Sequence, residues 1–285
     1  MDSNSADLVT QSNRLVEASY RLTLTEQQLV LFAVVQGREE DKLLPKNETI
    51  TVDARDFAAK FKLAPNHAYE MLKEACDHLF ERWIQIEDTH PKTGLRRVVK
   101  TRWVSDVAYV DGAGLVEFTF AKKVVPYITR LEKEYTQYRL EKIGHMRSVH
   151  AVRLYELLVQ YLTVGKRTLG IEELKEILGI AGEYKAIKDL KKRVIDVAVK
   201  QINDHSDIRV KYEQKRTGRF VTDLIFDIKA KGEKKPTTQK KEAKNLKVDR
   251  EYVEKYALPG ESYDVAYRRL LEKAGQKPLV FEEVE

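Results

Sequence analysis

Basic residues in the second half of the chain recur at the spacing of one helix face. Lys185, Lys188 and Lys192 step by three and four residues, so a helix would hold them side by side. Lys191 and Arg193 flank this row. Ammonium and guanidinium groups bind phosphate oxygens and the O6 and N7 atoms of guanine, so the pattern favours contact with a nucleic acid. The alternative is a solvated helix surface, which is the commoner fate of charged helix faces.

An apolar stripe shares this stretch with the basic residues. Its members step by three or four through 184–204 and are Ile187, Leu190, Val194, Ala198 and Ile202. The pattern predicts one long helix, with its apolar face on a core and its basic face toward a partner. Tyr184, at the N-terminal end, is predicted to meet a thymine methyl group or a phosphate.

Two strand-like segments follow the long helix and are joined by the basic turn 215–219, "KRTGR". The turn places three cations within five residues, and they are Lys215, Arg216 and Arg219. A helix followed by a basic hairpin can present the helix to the major groove and the hairpin to a neighbouring phosphate strand or minor groove. The sequence therefore predicts that helix and hairpin act on one DNA duplex.

The first half repeats the layout with different charges. Its long helix, predicted over 67–83, has a net acidic polar face, which phosphate would repel. The segment 92–102 that follows has five basic residues and no acid. The candidate DNA contacts of this half are therefore on its hairpin: Arg96, Arg97, Lys100 and Arg102. The helix N-terminus at Asn66 and His67, and self-association of this half, stay open.

The elements that must position these residues follow the same order twice: helix, short helix, long helix and β-hairpin. The predicted helices are 24–36, with Thr25 as N-cap, 54–61 and 67–83, then 148–162, 170–180 and 184–204. This order is typical of a winged helix. The predicted fold class is thus α+β, with two tandem winged-helix (helix-turn-helix plus β-wing) domains and a flexible C-terminal extension.

Charge is divided unevenly along the chain, whose net charge is +6. Residues 1–144 carry 21 basic and 22 acidic residues and are predicted to form winged-helix domain 1. Residues 145–230 carry 17 basic and 12 acidic residues and are predicted to form domain 2, the main DNA-binding domain. Residues 231–247 carry 7 basic and 2 acidic residues and are predicted to be a basic linker. We assign no role to the extension 248–285.

Composition narrows the setting in which the chain acts. Charged residues make up 34% and hydrophobic residues 42%, as in a globular protein with a solvated surface. No apolar run approaches the roughly 18 residues that span a bilayer, and the N-terminus lacks a secretory pattern. The single cysteine, Cys76, is predicted to be a buried apolar side chain. We therefore expect a cytoplasmic protein with no membrane partner.

Several separate blocks of the chain occur in an order that one family shares: "SNRLVEASYRLTLTEQQLVLFAV", "DARDFAAKFKL", "AYEMLKEACDHLFER", "SVHAVRLYELLVQYLTVGKRTLGIEELKEILGI", "YKAIKDLKKRVIDVAVKQIND" and "VKYEQKRTGRFVTDLIFDI". In these blocks the chain resembles the iteron-binding plasmid replication initiators of bacteria. The resemblance covers about 12–230. It implies a monomer that binds direct repeats at a plasmid origin through both domains, the second more strongly.

The resemblance also implies further partners. A homodimer, joined mainly through the first domain, would bind an inverted repeat at the promoter and repress its own synthesis. The monomer would help to melt neighbouring A·T-rich DNA and bring in the host replication initiator and helicase. On this chain the implied reading helix is 184–204 and the implied wing is 211–220.

Three other interpretations stay open. A rolling-circle initiator would nick DNA with a nucleophilic Tyr and a His-apolar-His metal site, but no two of the six histidines are separated by one residue. The chain also lacks a GxxxxGK[ST] loop for ATP. We therefore expect no enzyme activity, no metal and no cofactor. A winged-helix transcriptional repressor without initiator activity, and a scaffold that binds no DNA, are the remaining alternatives.

Overall fold

A computed structural model describes residues 7–39, 49–128 and 135–232. The chain divides into two units, Met1–Gly232 and Glu233–Glu285, and every described residue belongs to the first. The predicted extension and nearly all of the predicted linker therefore lie outside the described residues. Within the described ranges, no helix combines the length and the apolarity needed to cross a membrane.

The first half contains most of the predicted elements and several short additional ones. In chain order they are β1 (Leu8–Ser12), α1 (Asn13–Val16), β2 (Ser19–Tyr20), α2 (Leu24–Glu39), β3 (Thr49–Asp53), α3 (Ala54–Phe61), a 3₁₀ turn (Pro65–His67), α4 (Ala68–Glu81), β4 (Trp83–Thr89), β5 (Arg96–Arg102), β6 (Val104–Val110), a 3₁₀ turn (Asp111–Ala113), β7 (Leu115–Phe120), α5 (Val125–Ile128), β8 (Tyr135–Arg139) and a 3₁₀ turn (Leu140–Lys142). All its strand pairs are antiparallel: β1 with β8, β2–β4–β5, and β3–β7–β6.

The second half is a shorter set built on one sheet. Its elements are α6 (Val149–Val159), β9 (Lys166–Gly170), α7 (Ile171–Ile177), α8 (Ile187–Leu190), a π-helical segment (Lys191–Ile195), α9 (Asp196–His205), β10 (Ile208–Thr217) and β11 (Phe220–Ala230). The sheet order is β10–β11–β9, all antiparallel. Each half is a winged helix, as predicted, and β9 was not predicted.

Local capping sets the ends of the first helices. Thr23 Oγ1 accepts a hydrogen bond from Glu26 N at 3.3 Å, and Glu26 Oε2 accepts one from Thr23 N at 3.0 Å. This reciprocal pair satisfies two backbone donors at the start of α2. The prediction of Thr25 as the N-cap was wrong, because that residue lies inside the helix. Asp53 caps α3, which spans the predicted residues 54–61.

The apolar face of α4 is buried as its spacing predicts, except at its last member. Leu72, Cys76 and Leu79 are fully buried, whereas the side chain of Trp83 is 60% exposed. The helix ends at Glu81 because Arg82 takes an extended conformation, with φ −73° and ψ 137°. Trp83 therefore begins β4, and the predicted end of this helix at residue 83 was two residues late.

Helix α6 forms the buried boundary between the halves. Its Glu156 is completely buried and accepts hydrogen bonds from Tyr138 OH at 2.7 Å and from Gln11 and Gln27 Nε2 at 2.5 and 3.3 Å. Arg153, one turn earlier, lies 3.4 Å from the same carboxylate. Burial raises the pKa of Glu156, and these donors oppose that rise. The buried Glu156 cluster thus joins β1, α2 and β8 to the second half.

Candidate nucleic-acid interface

The basic helix, defined here as α8, the π-helical segment and α9 together, begins at Ile187. The predicted start at residue 184 was three residues early. Tyr184 has a φ of 48°, in the left-handed region, so it cannot continue a right-handed helix. Its half-buried ring packs on the core and lines a cavity of about 260 Å³ with His150 and Ile180. Lys185 also precedes the first helical residue and is exposed.

The predicted apolar stripe is buried through this helix, with one change. Leu190, Val194, Ala198 and Ile202 are buried and Ile187 is half-buried, but Ile195 is buried as well. The members of the stripe are mostly four residues apart, which is more than one turn of an α-helix, about 3.6 residues. The wider turn at 191–195 absorbs this excess and keeps the stripe on the core. Such π-helical turns occur frequently at functional sites.

Most of the predicted contact residues of the basic helix face solvent. Lys185, Lys188, Lys192 and Arg193 are exposed, and none forms an ion pair with another residue in the described ranges. Lys191 differs, because it is half-buried with its Nζ 5.9 Å from the centre of the Tyr212 ring. Four of the five predicted cations are therefore exposed without a charged partner among the described residues.

The wing, which consists of β10, β11 and the turn between them, is longer than predicted. Lys215 and Arg216 belong to β10, and only Gly218 and Arg219 lie between the strands, with Gly218 at φ 61°. A β-bulge interrupts the pairing between Lys215 and Arg216. Arg216 and Arg219 are exposed without an ion pair in the described ranges, whereas Lys215 Nζ lies 3.6 Å from Asp223 Oδ2.

Two polar contacts attach the wing to the basic helix. Tyr212 OH donates to Asp196 Oδ1 at 2.6 Å, and burial together with this carboxylate raises the pKa of Tyr212. Asn203 Oδ1 accepts from Val210 N at 2.7 Å, and its Nδ2 donates to Val210 O at 2.8 Å. These hydrogen bonds connect the two elements, each of which carries exposed cations.

The hairpin of β4 and β5 presents its predicted cations differently. The register places Asp88 directly opposite Arg97, whereas Glu87 lies diagonal to Arg96. Both arginines bind these carboxylates in bidentate pairs. Asp88 also accepts a hydrogen bond from Tyr127, and the Arg97 guanidinium lowers the pKa of the Asp88 carboxyl. The positive charges of these two arginines are thus compensated by acidic partners.

The remaining two predicted cations of this hairpin differ from each other. Arg102 NH1 lies 3.3 Å from Glu81, and the guanidinium stacks over the rings of Phe80 and Trp83. Lys100 is exposed and forms no ion pair with any residue that the structure describes. On this hairpin, Lys100 is the predicted contact whose charge is uncompensated in the described structure.

A further basic cluster lies at the junction of the halves and was not predicted. Lys62, the left-handed C-cap of α3, has its Nζ 3.0 Å from His145 Nε2. The His145 ring stacks on His205 with centroids 5.9 Å apart, and the Lys62 charge lowers the pKa of His145. Three distant chain segments contribute these residues, so no local sequence pattern signals the cluster. The described residues contain no group of three His, Cys, Asp or Glu side chains placed to hold a metal ion.

Comparisons with known proteins match both halves of the chain. Residues 8–159 match the family model described as "Initiator Replication protein, WH1", and residues 170–228 match "Initiator Rep protein, WH2". An uncharacterised 27.6 kDa protein of Escherichia coli is 27% identical, over 76% of this chain and 93% of its own. A replication initiation protein of Escherichia coli is 24% identical, over 78% of this chain and 69% of its own.

The fold also matches a solved structure. The Pi initiator protein, crystallised in complex with iteron DNA, superposes with a TM-score of 0.65 at 19% identity, over 79% of this chain and 98% of that one. At that identity the match establishes a shared tandem winged-helix fold.

Proposed function

We propose, from the premise that this chain belongs to the initiator replication protein family with its WH1 and WH2 domains, that it initiates plasmid replication by binding origin DNA. The bound sites are direct repeats of the iteron type, and the ligand is duplex DNA. Residues 145–230 act as the main DNA-binding domain and residues 1–144 as an auxiliary one. The match to an initiator solved with iteron DNA supports this proposal through the shared fold.

The observation that carries the proposal is the basic surface of the second half. Lys188, Lys192 and Arg193 on the helix, and Arg216 and Arg219 on the wing, are exposed without ion pairs in the described ranges. Cations with no acidic neighbour keep their full charge for phosphates, and binding then releases counterions from the DNA. The rigid link between helix and wing lets both engage one duplex. The basic helix enters the major groove and the wing follows the adjacent strand.

The first half supplies the dimer contact in this proposal. Strand β5 lies at the end of its sheet, where its backbone groups can pair with another strand. The exposed apolar side chains beside it are Trp83, Leu95 and Val98, which are 60%, 68% and 46% exposed. A near-neutral first half lets two copies approach without strong repulsion. A two-fold dimer then suits an inverted repeat, where it represses its own promoter, and a monomer suits direct repeats.

Origin opening and host partners complete the proposed role. The bound monomer helps to melt neighbouring A·T-rich DNA and recruits the host replication initiator and helicase. The family is not one of known catalytic enzymes, and the proposed mechanism uses binding energy alone. Nicking of supercoiled origin DNA in the presence of Mg²⁺ would contradict this part of the proposal.

The test is a footprint on the intergenic DNA of the plasmid that encodes the protein. We expect protected direct repeats in helical phase, with affinity that falls by about 10³- to 10⁵-fold between about 50 and 200 mM salt if roughly 6–10 phosphates are contacted. An affinity that does not depend on salt would refute the DNA-binding surface. Protection of a single inverted repeat alone would favour the second candidate, a winged-helix transcriptional repressor without initiator activity.

A further inference from the structure

The tip of the wing carries an unusually exposed aromatic ring. Phe220 is 78% exposed, more than any other large apolar side chain in the described ranges, including Val164 at 70%. It is the first residue of β11, directly after the turn formed by Gly218 and Arg219. Its cross-strand partner is Thr217, whose small side chain leaves the ring uncovered. An isolated ring at such a position contributes nothing to the core.

Two of the wing cations are neighbours of Phe220 in the hairpin. Arg219 precedes it in the chain, and Arg216 pairs with the following residue, Val221. Both arginines are exposed without ion pairs in the described ranges. An exposed aromatic ring at a hairpin tip that also carries two uncompensated guanidinium groups matches a ligand with phosphates on its outside and apolar faces within. A DNA duplex has this arrangement, with base-pair faces between two phosphate strands.

The wing also holds the ring at a fixed distance from the basic helix. Strands β10 and β11 pair along their length, and the bulge at Lys215 and Arg216 increases local twist and can redirect the tip. At the base of the wing, the Tyr212–Asp196 and Asn203–Val210 hydrogen bonds attach the hairpin to α9. When the helix occupies a major groove, the tip therefore reaches the neighbouring groove with little loss of conformational freedom.

We propose that Phe220 is an apolar wedge that enters the minor groove beside the recognised major groove and partly unstacks one base step. This inference rests on the proposed function, because it needs the duplex that the basic surface binds. Inserted phenylalanine rings kink DNA, and pyrimidine–purine steps such as TA open most easily. The wing then selects a deformable step without hydrogen bonds to bases, and part of the distortion needed to open A·T-rich DNA begins at this residue.

The test uses full-length protein and direct-repeat duplexes that carry 2-aminopurine, whose fluorescence rises on unstacking, at each step in turn. We expect wild-type protein to raise the signal at one or two adjacent steps, and Phe220→Ala to remove most of that rise. Phe220→Leu, which keeps an apolar wedge, should retain part of it. Val164→Ala removes another exposed apolar side chain, at the opposite end of the sheet, and should behave as wild type.

A mismatch at the responding step gives a second readout, because a mismatched step is already partly unstacked. Wild-type affinity should rise by roughly tenfold on the mismatched duplex, and that of Phe220→Ala by less than about twofold. The salt dependence of binding should be equal for both, since no charge is removed. Equal thermal unfolding of the variants would show that folding is unchanged.

Four results would overturn the inference. The first is a fluorescence rise that is equal in Phe220→Ala and wild type. The second is binding of wild-type protein, but not of Phe220→Ala, to anionic phospholipid vesicles with no difference on DNA, since the ring would then be a membrane anchor. The third is a wild-type protein that binds no duplex, in which case the proposed function fails first. Salt-dependent binding without local unstacking would refute the wedge alone.

Discussion

The phenol of Tyr212 donates a hydrogen bond to the Asp196 carboxylate at 2.6 Å, and this contact joins the wing to the basic helix. We predict that Tyr212→Phe weakens duplex binding by roughly 3- to 10-fold while lowering the free energy of unfolding by only about 1 kcal/mol. The ring keeps its place, but the wing can shift relative to the helix. Fluorescence anisotropy with DNA and urea unfolding measure the two effects.

Tyr135→Phe is the matched control for this variant, because it removes a phenol from an exposed strand residue of the first half. It should change neither the affinity for duplex DNA nor the free energy of unfolding. If Tyr212→Phe lowered stability and left DNA binding intact, the angle between wing and helix would be irrelevant to binding.

Charge reversal on the basic helix should depend on position. Lys188 is exposed and has no ion pair in the described ranges, whereas Lys200 is paired with Asp204 at 2.5 Å near the C-terminal end. We predict that Lys188→Glu lowers affinity on the order of 100-fold and reduces the salt slope by about 1 to 2. Lys200→Glu, the same chemical change on the same helix, should cost less than about threefold. Equal losses would place the DNA on another face.

The paired arginines of the β4–β5 hairpin should affect stability more than DNA binding. Arg97→Ala leaves the Asp88 carboxylate, which is only 7% exposed, without its cation. We expect a lower free energy of unfolding, measured by urea denaturation, because the carboxylate loses its charged partner. Lys100→Ala should leave stability unchanged and reduce the salt slope of DNA binding by at most about 1. A DNA defect in Arg97→Ala with no loss of stability would contradict this division.

The buried Glu156 should make stability depend on pH in the direction opposite to most carboxylates. Burial raises its pKa, so the folded state binds the proton more tightly than the unfolded state does. Its contribution to stability is therefore fully present below the ordinary glutamate pKa and is lost as pH rises through the raised value. The slope cannot exceed about 1.4 kcal/mol per pH unit.

Glu156→Gln should remove the part of the pH dependence of stability that Glu156 causes. Between about pH 5 and about pH 8, the wild-type free energy of unfolding should fall more, or rise less, than that of the variant. Glu172→Gln, at a side chain that is 78% exposed, is the control and should follow wild type. Parallel pH profiles for wild type and Glu156→Gln would show that Glu156 keeps its charge throughout this range.

Local periodicity predicted the helices well, because burial of one face determines them. The spacing of the stripe from Leu190 to Ile202 is enough to indicate which face of the basic helix packs on the core. What periodicity could not indicate depends on distant partners. Strand β9 is fixed by pairing with Asp223–Asp227 in β11, not by its own residues. The left-handed Tyr184 shortens the helix at a position where the sequence continues the helical pattern.

The candidate site shows the same limit. The sequence identified the cations on the β4–β5 hairpin, but only the structure shows that Arg97 lies opposite Asp88 and that Arg96 reaches diagonally to Glu87. A count of charges along the chain cannot distinguish a compensated arginine from an available one. Of the predicted helix and wing cations, Lys188, Lys192, Arg193, Arg216 and Arg219 are exposed without ion pairs in the described ranges, whereas Lys215 lies 3.6 Å from Asp223.

Dimerisation through the first half should be separable from DNA binding by the second. Val98 lies in the middle of the edge strand β5 and is 46% exposed, so Val98→Lys places a charge where a second copy would pair. We predict that sedimentation velocity shows at least about a tenfold weaker dimer for this variant, since a desolvated charge costs more than about 1.4 kcal/mol. Gel shifts should then show weaker binding to the inverted repeat and stronger binding to direct repeats. Val164→Lys makes the same change at an exposed valine of the second half and should leave both unaltered. A Val98→Lys protein that dimerises as wild type, or loses both DNA types together, would refute the edge-strand dimer.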